Sequence, residues 1–192
     1  GDNGKGLTAL TLNNPDFHNY ATDRFLYNTI KNGRYNTAMP CWSHLTDKEM
    51  SDLIALIKSW GRGYGPTAIV TMQEGVPEQG SLHFHYLCSR CHGESGEGAT
   101  GPAILNPDFI NAADDTYLYM MISNGRINTA MFGWFGQQTD RGKIEKKQIS
   151  DIIAFMRSAV EDRPEYIYPG ANPGNSQDGK KCFDLHCTEC HG

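Results

Sequence analysis

Cys88-Ser89-Arg90-Cys91-His92 and Cys187-Thr188-Glu189-Cys190-His191 decide how this chain is read. Each is Cys-x-x-Cys followed at once by His, the spacing of covalent c-type haem attachment. Two thiols three positions apart each add to one vinyl group of a porphyrin, and the adjacent imidazole ligates its iron. A four-cysteine zinc site would have to close from Cys91 to Cys187, several times the ~15–20 residues of a zinc ribbon. A thioredoxin-like pair needs a βαβ context, which the sequence around Cys88 does not provide. Structural disulfides leave a His after each pair unexplained. Two haem c groups are therefore expected, one on Cys88 and Cys91 with His92 as iron ligand, one on Cys187 and Cys190 with His191.

The composition limits what surrounds these motifs. The chain has 192 residues, 39% hydrophobic and 20% charged, with 21 Gly, 9 Pro and a net charge of −5. That describes a loop-rich folded protein with no Lys/Arg cluster for nucleic acid. No apolar run approaches the roughly 20 residues of a membrane helix, and no basic n-region with an apolar stretch opens the chain. Haem is attached covalently outside the cytoplasm, so a periplasmic or extracellular location is expected. There Cys41 and Cys182 can also persist as a disulfide, although their pairing is left open.

Working outward from the motifs, the chain repeats itself. With Gly1 set on Gly93, Asn14-Pro15-Asp16-Phe17 falls on Asn106-Pro107-Asp108-Phe109. Gly33-Arg34-Tyr35-Asn36-Thr37-Ala38-Met39 falls on Gly125-Arg126-Ile127-Asn128-Thr129-Ala130-Met131, and Trp42 falls on Trp134. After the tryptophans the second copy carries an insertion within Phe135–Lys143, polar and turn-forming enough to read as a surface loop. Cys88 then aligns with Cys187. The expected division is 1–62, the C-terminal part of a first module lacking its own Cys-x-x-Cys-His; 63–79, a linker; 80–162, a complete module; 163–178, a linker; and 179–192, the front of a third module. On that division either the native polypeptide continues beyond both ends, or chains join head to tail so that Met39 of one serves the haem on His191 of the next.

The chemistry-bearing residues fall on helices and loops. Thr46-Asp47-Lys48-Glu49 is a capping box before Met50, Leu53, Ile54 and Ile57, and Ile149, Ile152, Ile153 and Met156 form the equivalent stripe. Shorter helices are predicted over 22–31 and 114–123, with one leading into each haem motif over 80–88 and 179–187. No alternating stretch is long enough for a strand, so the fold class is all-α.

The order of helix, Cys-x-x-Cys-His-Gly, Gly-rich loop, middle helix, Gly-Arg-x-x-x-x-Met and amphipathic C-terminal helix resembles the class I (mitochondrial-type) cytochrome c domain. The resemblance implies tandem modules, each wrapped around one haem c, with His92 and Met131 as axial ligands of the central haem. Met39 then serves a haem whose attachment motif lies outside the first module. Met50, Met120, Met121 and Met156 read as core, whereas Met39 and Met131 sit in polar loops where packing needs no methionine. Arg34 and Arg126 are candidate propionate partners, with solvated loop arginines the alternative. Trp42 and Trp134 are candidates for packing on the haem edge. His83 and His85 are the reserve axial ligands for the central haem.

Iron with both axial positions filled favours electron transfer over catalysis. The expected function is an electron carrier, not an enzyme, acting with redox protein partners or neighbouring cytochrome modules. Two alternatives stand beside it: a haem subunit of a dehydrogenase or dihaem peroxidase-like enzyme, and a conductive head-to-tail filament.

Overall fold

Asn14 and Asn106 open two short helices that hydrophobic periodicity does not mark. The Asn14 side chain accepts the N–H groups of Asp16 and Phe17, that of Asn106 accepts the Phe109 N–H, and a proline follows each at the first helical position, where a missing N–H costs nothing. The structure, a computed structural model, describes residues 3–61, 70–160, 168–170 and 173–192. In chain order it contains α1 (Pro15–Tyr20), α2 (Asp23–Asn32), α3 (Asp47–Trp60), α4 (Pro77–Leu87), α5 (Ser89–His92), α6 (Pro107–Ala112) and α7 (Asp115–Asn124). There follow β1 (Gln138–Thr139), β2 (Gly142–Lys143), α8 (Lys146–Ser158), α9 (Ser176–His186) and α10 (Thr188–His191).

The described chain is all-α, as expected, apart from one hairpin. It lies in the insertion expected as a plain loop, where Gln138 pairs with Lys143 and Thr139 with Gly142. Gly142, at φ +104°, takes a backbone conformation that other residues resist, and the Thr139 hydroxyl donates to its carbonyl at 2.7 Å. Thr22 and Asp114 stand just outside their helices as N-caps, accepting from the N–H groups of Phe25 and Tyr117. The predicted Thr46/Glu49 capping box is formed. The helices before the haem motifs begin earlier than expected, at Pro77 and Ser176, so the last residues of both expected linkers are helical. Residues 63–69 of the first linker, and 163–167 and 171–172 of the second, lie outside the described residues.

The chain divides into two units: Gly1–Gly33, Cys41–Ala68 and Tyr166–Gly192 form one, and Arg34–Pro40 with Ile69–Glu165 form the other. The segments assigned from sequence to a first and a third module thus lie together. The loop bearing Met39 groups with the second unit.

In the second unit α4 packs across α8. The apolar stripe of α8 supplies Ile149, Ile152, Ile153 and Met156, and Phe84 of α4 is fully buried. A buried Asp151 ties the pair: its Oδ1 accepts the Val76 N–H at 2.6 Å and is ion-paired with Lys147. Arg157 joins α8 to α6 and α7, donating to the carbonyls of Ile110 and Ala113 and to Asp115.

In the first unit α9 packs across α3 in the same way. Met50, Leu53, Ile54 and Ile57 of α3 are buried, and Phe183 of α9 sits edge-on to Trp60 at 5.3 Å between ring centroids. Lys58 takes the place of Arg157, donating to the Ala21 carbonyl at 3.0 Å and pairing with Asp23 at 3.4 Å. An amphipathic helix needs a cover for its apolar face. Here the C-terminal segment supplies it.

His18 of α1 is buried in this unit at the repeat position of the fully buried Ile110, and neither ring nitrogen has a hydrogen-bond partner among the described residues. Burial, helped by the Lys58 ammonium, lowers its pKa to about 4. Because the folded value lies below the unfolded one, the unfolded chain takes up the proton first. Stability is full above roughly pH 6.5 and falls as pH drops toward 4. His18→Ile is expected to flatten that limb and to gain about 1–2 kcal/mol at pH 5 relative to its effect at pH 8. Thermal unfolding at the two pH values checks it, and parallel curves would refute it.

Candidate functional site

The Cys88–His92 motif occupies the end of α4 and the single turn of α5. The Cys91 carbonyl accepts the Gly101 N–H and the His92 carbonyl accepts the Gly98 N–H, both at 2.7 Å, so the following loop folds back over the motif. His92 is buried, and its Nδ1 lies 2.8 Å from the Pro102 carbonyl oxygen. A carbonyl only accepts, so Nδ1 donates, and in the neutral ring the lone pair is then on Nε2. That is the tautomer a metal-ligating imidazole needs, with its orientation held by an outer hydrogen bond. Gly101 is required for the fit: a Cβ there would stand 2.9 Å from His92 Cε1 and 3.0 Å from Nδ1.

Burial, with Cys91 adding to it, pushes the Cys88 thiol up to about 12, and burial pushes Cys187 up to about 12 with help from Cys182 and Cys190. Zinc ligation and disulfide exchange both use the thiolate. These surroundings oppose it, whereas a thioether is neutral and sits in an apolar site without that penalty. Among the described residues no group of three or more His, Cys, Asp or Glu could hold a metal ion, and all six cysteines, Cys41 and Cys182 included, are free.

The two methionine loops share one geometry. Gly33 and Gly125 cap their helices at φ +66° and +72°, and Asn36 and Asn128 adopt φ +56° and +60°. Thr37 and Thr129 donate to the carbonyls of Arg34 and Arg126 at 2.8 and 2.9 Å. The same hydroxyls accept the N–H groups of Met39 and Met131, both at 3.2 Å. Gly-Arg-x-Asn-Thr-Ala-Met is therefore a prescription for a backbone turn that presents a methionine. Asn tolerates the left-handed conformation better than other non-glycine residues. The sequence reading missed these asparagines and threonines, though their repetition in both copies marks them. Ile127 and Phe132, 52% and 56% exposed, place apolar surface beside Met131.

Arg34 and Arg126 come together in the second unit. Arg34 lies over the Phe109 ring at 4.8 Å; burial lowers its pKa, Tyr117 opposes that shift, Arg126 adds to it and Asp108 opposes it. Two guanidiniums in mutual electrostatic reach make a region suited to carboxylates. Trp134 packs on Phe132 at 4.6 Å, and Trp42 packs on His186 at 4.9 Å and His44 at 5.6 Å. His85, one of the reserve ligands, has Nδ1 engaged at 2.7 Å with the Ser81 carbonyl of its own helix.

The Cys187–His191 motif, on α9 and α10, is seated on the N-terminal segment of its own unit. The His191 Nδ1 lies 3.0 Å from the Leu10 carbonyl, and the Ala9 and Gly6 N–H groups donate to the Cys190 and His191 carbonyls at 3.1 and 3.2 Å. Leu10 stands where the other copy has Pro102. Since the acceptor is a backbone carbonyl, the change of side chain does not remove it. These residues fit a covalently held haem c at both motifs, with the cysteines as thioether points and the histidines as iron ligands.

Residues 77–159 match the family described as cytochrome c. No curated protein matches the chain. Among solved structures, cytochrome cL from the marine methylotrophic bacterium Methylophaga aminisulfidivorans is 28% identical, with a TM-score of 0.35, over 43% of this chain and 52% of its own. The chain thus spans about half the length of that cytochrome. A reducing HAO-like protein complex of Kuenenia stuttgartiensis is 17% identical, with a TM-score of 0.45, over 73% of each chain. The match over residues 77–159 makes this stretch similar to cytochrome c, and that similarity supports haem-based electron transfer.

Proposed function

We propose that the chain is an exported electron carrier with two covalently attached haem c groups. They are held by Cys88, Cys91 and His92 and by Cys187, Cys190 and His191, with Met131 as the methionine ligand of the first. The observation that supports this is the Nδ1–carbonyl bond of each motif histidine, at 2.8 and 3.0 Å, which orients both rings as ligating imidazoles are oriented. Met39 has the same role as Met131 by its place in the repeat alone.

When bound, haem c supplies one-electron chemistry at iron. The protein's part is to hold and tune it. The histidine's hydrogen bond to a carbonyl would raise its basicity as a ligand, and a methionine ligand would raise the potential. Arg34 and Arg126 offer positive charge for the propionates. His92 and Met131 would together hold the first haem's iron, which would leave a substrate no open site there. The partners this fits are redox proteins or neighbouring cytochrome modules in the periplasm or outside the cell.

Mass spectrometry of the denatured chain, expressed with a haem-attachment system, tests the proposal. Two haems above the polypeptide mass are expected, one on the peptide containing Cys88–His92 and one on that containing Cys187–His191. Alkylatable thiols at those four cysteines would overturn it. Stoichiometric binding of carbon monoxide to the native reduced protein, with peroxide turnover, would favour the enzyme-subunit alternative.

A further inference from the structure

The cytochrome c family match ends at residue 159, and nothing in it accounts for the first and last segments. We propose that residues 173–192 fold together with residues 3–33 and 41–61 of the same chain as a second haem c domain in permuted order, with its attachment segment after the rest in sequence. The haem it would hold rests on the proposed function above; the joining of the segments rests on their contacts.

Those contacts reproduce, pair by pair, the ones that build the domain of the second unit. The Asn175 N–H donates to Asp52 Oδ1 at 2.7 Å, as Val76 does to Asp151 at 2.6 Å. Asp52 is paired with Lys48, as Asp151 is with Lys147. A Cβ on Gly179 would meet the Asp52 carbonyl at 2.0 Å and one on Gly174 the Ser51 carbonyl at 2.0 Å. On Gly80 and Gly75 it would meet the Asp151 and Ser150 carbonyls at 1.8 and 2.2 Å. The histidine seat is reproduced too, with Leu10 for Pro102.

Such agreement between a continuous domain and a discontinuous one is a property of these sequences, since glycine, aspartate and lysine stand at the positions the packing requires in both. A segment tethered to the same chain meets its partner at an effective concentration set by the tether, which favours closure within the chain at low protein concentration. The same closure occupies the surfaces that head-to-tail joining would use.

The test uses the full haem-loaded chain. Isotope-labelled and unlabelled chains are unfolded, refolded together and treated with a carbodiimide, which couples amines to carboxylates in contact. Lys48 and Asp178 lie within electrostatic reach of each other, and Lys48–Asp52 within α3 is the internal control. Lys48–Asp178 cross-links are expected only between residues of like isotope. Mixed-isotope cross-links in about half the products would overturn the proposal in favour of exchange between copies.

Amide hydrogen exchange supplies the second measurement. Gly179→Val is expected to speed exchange in α3 at least tenfold while leaving α8 unchanged; Asp52→Asn, a milder change, moves the same amides in the same direction. Unaltered α3 exchange in both variants would overturn the proposal. Like-isotope cross-links together with a Cys187–His191 peptide free of haem mass would overturn the haem assignment while upholding the joined fold.

Discussion

Met131→His is expected to leave haem attached at Cys88 and Cys91 and to lower that haem's potential by on the order of 0.1–0.3 V, a substantial part of the ~0.8 V that axial ligands span. Attachment survives because the thioethers do not depend on the sixth ligand. The potential falls because imidazole stabilises the oxidised iron more than a thioether does. The loop's geometry makes the substitution local: Thr129 and Asn128 set the turn through backbone hydrogen bonds and a left-handed φ, and neither uses the methionine side chain. Met131→Ala in the same turn is expected to admit carbon monoxide to the reduced iron. Spectroelectrochemistry of the two variants against the native chain decides it. An unchanged potential and spectrum would pass the ligand role to another residue, with His83 and His85 first in line.

Local chemistry was legible in the sequence, and long-range closure was not. The haem motifs and the Thr46/Glu49 capping box depend on residues a few positions apart, and the internal repeat on like residues at a fixed offset, so spacing alone reveals them. The six-residue helices α1 and α6 escaped because they complete fewer than two turns, too few for a hydrophobic period to show. Their asparagine caps were the available signal. Asn36 and Asn128 were readable in principle as residues that accept a positive φ, but a motif ending in methionine drew attention to its last member.

The seating of His191 on Leu10 joins positions at opposite ends of the chain, and no periodicity carries it. The repeat instead suggested a module cut at both ends, to be completed by a longer chain or a neighbour. It sets Asp52 on Asp151 and Gly179 on Gly80, and the structure adds that Asp52 and Gly179 meet as Asp151 and Gly80 do.

Gly80 separates helix propensity from packing. It lies within α4, where replacing glycine by alanine stabilises an unobstructed helix by about 1 kcal/mol. Against that stands the crossing with α8: a Cβ at this position would be 1.8 Å from the Asp151 carbonyl oxygen and 2.8 Å from the Phe155 Cβ. The first neighbour is backbone and cannot swing aside. The helices must part, which strips cover from Phe84, Ile149 and Ile152 and pulls the Val76 N–H from Asp151.

Gly80→Ala is therefore expected to destabilise the second unit by about 2–3 kcal/mol and Gly80→Val by about 4 kcal/mol or more, opposite in sign to the propensity effect. Glu78→Ala, at an exposed position of the same helix, is expected to stay within about 0.5 kcal/mol. Denaturant unfolding followed through the haem absorbance measures all three. A Gly80→Ala protein as stable as the native one, or more so, would mean that α4 and α8 do not approach this closely, and the placement of His92 at the end of that crossing would fall with it.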